Sequence, residues 1–403
     1  MQQQGASDNL IDKTLRELDK AATFGEGQNL YDANKAIYHL LRYGVKVKEG
    51  AGQPNKTIWL IDWKQPENNH FAIAQEVTIK GEIKKRPDIV LYVNGIALGI
   101  LELKRSSIAI GEGIRQNLDN QKKAFIRPFF TTLQLAMAGN DTQGLRYGTI
   151  ETPEKYYLQW KESVDNSLDS HLSLLRNKTR FLEIIHDFIV FDSGTKKTCR
   201  PNQYFGIQAA QQYIQRHEGG IIWHTQGSGK SLVMVWLAKW IRKNVTDARA
   251  LIITDRTELD EQIEKVFKGV DEDIYRTVSG ANLLVTLNKT TPWLICSLVH
   301  KFGNSNQANI ATDQFIQDLK TKLPSNFKPK GDLFIFVDEC HRTQSGKLHD
   351  AMKAILPNAT FIGFTATPLL KQDKQKSIEI FGSYIHTYKF DEAVADGVVL
   401  DLR

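Results

Sequence analysis

Residues 220 to 231 read Gly-Ile-Ile-Trp-His-Thr-Gln-Gly-Ser-Gly-Lys-Ser, and no other stretch of the chain restricts its fold so tightly. An apolar run that ends in a glycine-rich loop and a Lys-Ser pair asks for a buried strand, a tight turn and a helix, in that order. Four more short apolar segments follow at crossover spacing, at 250–254, 293–297, 333–337 and 360–364. Apolar strands alternating with longer amphipathic stretches predict a doubly wound α/β domain on a parallel sheet covered on both faces. Ligands bind such sheets at the carboxyl ends of the strands, and nearly every suggestive segment of this half falls just after a strand.

The chemistry of the loop follows from its residue types. Backbone N–H groups of Thr225, Gln226, Gly227, Ser228 and Gly229, with the helix N-terminus behind them, are suited to phosphate oxygens. Lys230 supplies a cation for β and γ phosphates, and the Ser231 hydroxyl can ligate Mg²⁺. The general GxxxxGK[ST] pattern has glycine where His224 stands here. The strand at 333–337 delivers Asp338 and Glu339 to the same end of the sheet. Asp338 is suited to hold Mg²⁺, and Glu339 to orient and deprotonate the water that attacks a γ-phosphate.

The first half carries a different signature. Asp88 opens the apolar run Ile-Val-Leu-Tyr-Val, which meets Asn94-Gly95 and resumes at Ile96 before reaching Glu102-Leu103-Lys104. Asn-Gly between apolar runs marks a β-hairpin. Cutting a phosphodiester requires a metal-activated water and charge stabilisation on the phosphorane; the metal-binding carboxylates Asp88 and Glu102, with the cation Lys104, offer both. All three must then share a face. A two-residue turn would pair Val93 with Ile96 and put Asp88 on the face opposite Glu102 and Lys104, because side chains alternate. The chemistry therefore predicts a three-residue loop, Val93-Asn94-Gly95 with Gly95 left-handed, or a bulge that shifts parity by one.

Around these motifs the reading is coarser. Apolar spacing predicts a helix over 29–43 and a strand over 58–61, and the polar, glycine-poor stretch 151–197 reads as a helical connector. The domains expected are 1–180, with the connector from about 150, and 181–395. At 403 residues the chain has room for two or three domains. The hydrophobic share of 41% and charged share of 24% are those of an ordinary globular chain. No apolar run is long enough for a membrane helix and the start lacks a signal peptide, so no membrane role and a cytoplasmic location are expected. Cys199, Cys296 and Cys340 match no paired metal spacing, which argues against zinc and fits a reducing compartment. A net charge of +6 among 52 basic and 46 acidic residues permits polyanion binding without demanding it.

The ordered set Arg86-Pro87-Asp88, Glu102-Leu103-Lys104-Arg105, Ile222 to Lys230 and Asp338-Glu339-Cys340-His341-Arg342 resembles the restriction subunit of type I restriction-modification enzymes. The resemblance implies a PD-(D/E)xK nuclease-like α/β domain followed by a RecA-like domain of a superfamily 2 helicase or translocase. It implies ATP and Mg²⁺ as cofactors and double-stranded DNA as substrate. It also implies methyltransferase (modification) and specificity subunits as partners, in a bacterial or archaeal cytoplasm, with translocation preceding cleavage away from the recognition site. Within the superfamily pattern, Gln203 matches an adenine-reading glutamine. His341, Thr365 and Thr367 match segments that couple nucleotide state to neighbouring segments, and Asp255, Arg256, Ser297 and Lys301 lie where one DNA strand is contacted. The family nuclease has a Gln-x-x-x-Tyr helix after its lysine; Gln116 fits, while Asn120 stands at the tyrosine position. Because the chain stops at Arg403, the resemblance implies that 396–403 begin the junction to a second RecA-like domain, whose absence would leave ATP bound but poorly hydrolysed and DNA not translocated. The alternative is another nuclease-helicase, of DNA repair or the type III restriction class; those usually place the nuclease after the motor.

Overall fold

Two sets of short apolar strands become two separate sheets in the computed structural model, which describes residues 5–24, 27–162, 167–175, 177–254, 257–270, 272–298, 316–317, 319–324, 327–340, 343–367 and 378–399. Chain contacts divide the protein into Met1–Pro201 and Asn202–Arg403. The first unit thus runs past the boundary expected after residue 180.

The first unit opens with helices α1 (Asp8–Ala22) and α2 (Leu30–Tyr43). Asn29 starts α2 by accepting a hydrogen bond from the Asp32 N–H at 2.7 Å, which satisfies one of the free donors of the first turn. Strands β1 (Val45–Lys48) and β2 (Asn55–Ile58) form an antiparallel ribbon. The strand expected over 58–61 therefore ends where it was expected to begin. Leu60 and Ile61 are buried as their character demands, but the backbone turns just beyond them. There the Asp62 N–H donates to Asn69 Oδ1 at 2.8 Å and the Asp62 carbonyl accepts from Asn69 Nδ2 at 2.8 Å.

A six-stranded mixed sheet follows, in the order β3 (Phe71–Gln75), β4 (Ile89–Val93), β5 (Ile96–Leu103), β6 (Leu135–Asn140), β7 (Gly144–Gly148), β8 (Leu158–Gln159). The parallel pair β5 and β6 is joined through helix α3 (Ile110–Asn120). α3 lies close to the sheet because Gly113 has no side chain: a Cβ there would sit 3.1 Å from Ala138 Cβ. The stretch read as a helical connector contains helices α4 (Leu168–Leu175) and α5 (Lys178–Asp187), but also β8 and a hairpin of β9 (Ile189–Asp192) and β10 (Thr195–Thr198). The turn Ser193-Gly194, with φ of 48° and 86°, reverses that hairpin. β10 belongs to the first unit through Lys196, whose buried Nζ donates to Asn34 Oδ1 and Gln134 Oε1, each at 2.7 Å. These bonds move the boundary to residue 201.

The second unit alternates helix and strand: α6 (Pro201–Gln215), β11 (Gly220–His224), α7 (Lys230–Asn244), β12 (Ala248–Thr254), α8 (Thr257–Gly269), β13 (Tyr275–Arg276), α9 (Gly280–Leu287), β14 (Leu294–Leu298), β15 (Asp332–Val337), α10 (Thr343–Ile355), β16 (Thr360–Thr365), β17 (Tyr384–Tyr388) and α11 (Phe390–Ala395). Seven strands pair in parallel in the order β13-β14-β12-β15-β16-β11-β17. The five apolar segments read from the sequence are all in this sheet. Its edge strands, β13 and β17, are two residues long and polar-alternating respectively, and give no apolar signal. Ile252, Ile295, Ile335 and Phe336 are fully buried, as a sheet covered on both faces requires. No helix among the described residues is long and apolar enough to cross a membrane.

Candidate functional sites

In the first unit, the hairpin resolves the parity conflict with a bulge. Val93 pairs with Ile96 across the two-residue turn Asn94-Gly95, whose φ angles of 50° and 81° are both left-handed. The register then shifts: Tyr92 faces Ala97 but Leu91 faces Gly99, leaving Leu98 as the extra residue. With Ile89 opposite Leu101, the next pair along is Asp88 and Glu102, which now share a face. Asp88 Oδ2 accepts the Leu103 N–H at 2.7 Å, which fixes the carboxylate against β5.

α3 completes the cluster. Gln116 accepts from Lys104 Nζ at 2.6 Å and donates through Nε2 to Glu102 Oε2 at 2.6 Å, so one amide holds both charged groups. One turn on, Asn120 Nδ2 lies 3.5 Å from Glu102 Oε1, a long and weak contact, while its buried Oδ1 has no partner among the described residues. Glu102 has no exposed surface, and burial, followed by the neighbouring Asp88 carboxylate, pushes its pKa up to about 8; Lys104 and Lys85 partly offset this. Two crowded carboxyl groups, one of them reluctant to ionise, form an oxygen donor set that suits a hard divalent cation.

In the second unit, the glycine-rich loop read as a phosphate site joins β11 to α7. Gly229 caps α7 with φ of 85°, and Gly227 has φ of 81°. A Cβ on Gly227 would also lie 3.1 Å from Val399 Cγ1. The Ser228 hydroxyl donates to Thr225 O at 2.6 Å, closing the turn from inside. Lys230, first residue of α7, donates to His224 O at 3.2 Å. Burial lowers its pKa, and the carboxylates of Asp338 and Glu339 act in the opposite sense, so the three charged groups lie within electrostatic reach. Asp338 is buried just past β15, with its N–H bonded to Ile253 O at 3.0 Å. Glu339 has φ of 47°, a left-handed kink, after which the Cys340 N–H bonds Phe364 O at 3.0 Å. Cys340 fills a small-residue position: a Cβ on Gly363 would lie 2.7 Å from its sulfur. Burial, reinforced by Asp338 and Glu339, holds its thiol protonated.

Other expected positions are placed differently. Gln203 is buried and donates to Ser228 O at 3.1 Å and Gly229 O at 3.2 Å, so it braces the loop backbone. Thr367 N–H donates to Thr365 Oγ1 at 3.2 Å, making a local turn after β16. Ser297 is fully buried in β14, its hydroxyl included, and offers no surface contact to a DNA strand in this conformation. Asp255, Arg256, Lys301 and His341 lie outside the described residues. No group of three or more His, Cys, Asp or Glu side chains with metal-site geometry occurs among the described residues. Sequence reasoning missed His386, which touches His224; a lone histidine in a polar strand gives no signal.

Comparison with known proteins matches residues 2–155 to the type I restriction enzyme R protein N terminus and residues 202–403 to the SWI2/SNF2 ATPase family. A relative from Methanocaldococcus jannaschii, provisionally named the type I restriction enzyme MjaIXP endonuclease subunit, is 28% identical across 98% of this chain and 40% of its own length. The type I restriction enzyme SauMSSORF170P endonuclease subunit of Staphylococcus aureus is 25% identical over 96% of this chain and 41% of its own. The type I restriction enzyme HindI endonuclease subunit of Haemophilus influenzae is 26% identical over 98% and 40%. The chain thus spans about two fifths of the length of these relatives. Its parallel-sheet unit, which carries the glycine-rich loop and the acidic pair, is matched throughout: the chain belongs to the SWI2/SNF2 ATPase family, its first unit being matched to the type I restriction enzyme R protein N terminus.

Proposed function

We propose that this chain is the motor and endonuclease part of a type I restriction enzyme R subunit, in which the first unit cleaves double-stranded DNA and the second uses ATP to translocate it. The observation that carries the nuclease reading is the β5 bulge, which puts Asp88 and Glu102 on one face and leaves Lys104 and Glu102 bridged by Gln116. An ordinary amphipathic hairpin has no need of a buried carboxyl with a raised pKa tied to a lysine.

Asp88 and Glu102 would hold Mg²⁺, which when bound supplies an activated water and charge neutralisation at the scissile phosphate. Lys104 is placed to stabilise negative charge developing on the phosphate, and Gln116 fixes its direction. In the second unit, the loop from Thr225 to Gly229 and Lys230 would bind the nucleotide phosphates. Ser231 and Asp338 would hold Mg²⁺ there, and Glu339 would orient the attacking water. The modification and specificity subunits would supply methylation and site recognition, so that unmethylated DNA is cut away from the recognised site.

The test is Mg²⁺- and ATP-dependent cleavage of circular DNA by an R subunit that contains this chain together with a second RecA-like domain, assembled with modification and specificity subunits. Asp88→Ala should still hydrolyse ATP and translocate without cutting, and Lys230→Ala should do neither. Cleavage by Asp88→Ala at the wild-type rate would remove the nuclease assignment.

A further inference from the structure

Edge strand β17 does more than extend the second sheet. His386 faces Ile222 in the β11–β17 ladder, on the same side as His224. Its Nδ1 lies 2.9 Å from His224 Nε2, with the two rings edge to face at 74°. Gly206 on α6 leaves room for the pair, since a Cβ there would lie 3.0 Å from His224 Cε1 and 3.1 Å from Nε2. His224 is completely buried, and its Nδ1 has no partner among the described residues. A buried lone pair costs less to leave unmatched than a buried N–H, so the proton belongs on Nε2 and is donated to His386. Burial lowers the pKa of both imidazoles; His386 and the Lys230 ammonium lower that of His224 further, and Glu392 partly offsets the effect at His386. Both rings are neutral near pH 7.

His224 is the residue at which the chain leaves β11 for the phosphate loop. Its carbonyl accepts Lys230 Nζ at 3.2 Å, and the next N–H, of Thr225, donates to Tyr388 O at 3.0 Å. Tyr388 in turn donates through its hydroxyl to Asp396 Oδ2 at 2.8 Å, just beyond α11, and Val399 reaches Gly227. β17 and the turn after α11 therefore meet the loop at its mouth, its first N–H and its first left-handed glycine. We propose that His386 is a positioning residue for the nucleotide phosphates: by holding His224 it fixes the carbonyl beneath Lys230 and the mouth of the loop, so that nucleotide affinity depends on the placement of β17. This rests on reading Thr225 to Ser231 as the nucleotide site.

The test is calorimetric titration of Mg·ATP into the full chain, with thermal unfolding by circular dichroism alongside. His386→Asn keeps a hydrogen-bond acceptor where Nδ1 stood, whereas His386→Gln carries it to the position of Nε2; both are polar and of similar bulk. The Asn variant should bind within about twofold of wild type and the Gln variant roughly tenfold more weakly, the size expected when a buried donor loses its partner. Equal weakening in both, tracking only a lowered Tm, or wild-type affinity in the Gln variant, would overturn the positioning role. Lys230→Ala separates the two ideas. If it binds ATP as wild type does, or if neither binds, the nucleotide reading fails; if it loses binding while His386→Gln does not, only the role of His386 fails.

Discussion

The cluster at Asp88 and the loop at Lys230 both bring a lysine close to carboxyl groups, but they are built from different materials. In the first unit the side chains hold one another: Gln116 bonds both Lys104 and Glu102, and Asp88 is pinned by a single N–H from β5. In the second the backbone does the holding, through two left-handed glycines and carbonyls braced by Gln203 and Lys230. A side-chain cluster is brittle, because removing one member leaves a buried partner uncompensated. A backbone loop tolerates most side-chain truncations and fails only where a charge or a glycine is lost.

The largest effect belongs to the brittle site. In a complex whose R subunit contains this chain together with a second RecA-like domain, Asp88→Ala should lower DNA cleavage by on the order of 10³-fold or more while leaving ATP hydrolysis at the wild-type rate. A matching fall in ATP hydrolysis would break the contrast, because it would mean that the two sites are not independent. Next comes the loss of the loop's cation. Mg·ATP at about 100 times its dissociation constant should stabilise the wild type by roughly 2.7 kcal/mol, and Lys230→Ala should show no such shift in thermal unfolding. An equal shift in the variant would show that backbone alone binds the phosphates.

How far the sequence disclosed these sites follows from the same contrast. The glycine-rich loop was legible because its structure is local: strand, turn and helix are consecutive, and the glycines mark where φ must turn positive. A parity shift was legible only through the demand for one face, which a three-residue loop would also have met; the two-residue turn and the bulge's place at Leu98 were not, since nothing in Ile96-Ala97-Leu98-Gly99 names a bulge. Readings that depended on distant partners fared worse. The strand expected over 58–61 yields to a turn set by Asn69, and the connector's final hairpin is secured by a lysine reaching Asn34 and Gln134. The His224–His386 contact spans 162 positions, and no periodicity points to it.

A smaller effect concerns Glu102 and pH. Burial pushes its carboxyl up to about 8 in the folded chain, against an ordinary value of 4.5, so between those values the folded state holds a proton that the unfolded state has lost. Stability from this group is therefore fully present below about pH 4.5 and falls as pH rises to about 8, above which both states are ionised. Replacing it with a neutral isostere should remove that loss. In metal-free buffer at pH 8.5, Glu102→Gln should be more stable than wild type by on the order of 2 kcal/mol, or roughly 4–8 °C in Tm, with the gap closing toward pH 4.5. A gap that does not change with pH would show that Glu102 ionises freely and that the cluster is less crowded than its geometry indicates.

The smallest effect sharpens the contrast most finely, because it asks what Gln203 is for. If its amide serves mainly to brace Ser228 O and Gly229 O, Gln203→Ala should cost about 1 kcal/mol of stability and weaken ATP and GTP alike, by about fivefold each. If it reads the base, the variant should lose ATP affinity while GTP binding stays constant, and the preference between them should collapse. Competitive titration of the two nucleotides against wild type and variant distinguishes the cases. The bond to the loop carbonyls favours the first: a donor already committed to two backbone oxygens must give them up before it can meet a purine, and the exchange would undo the brace on which the loop's shape depends.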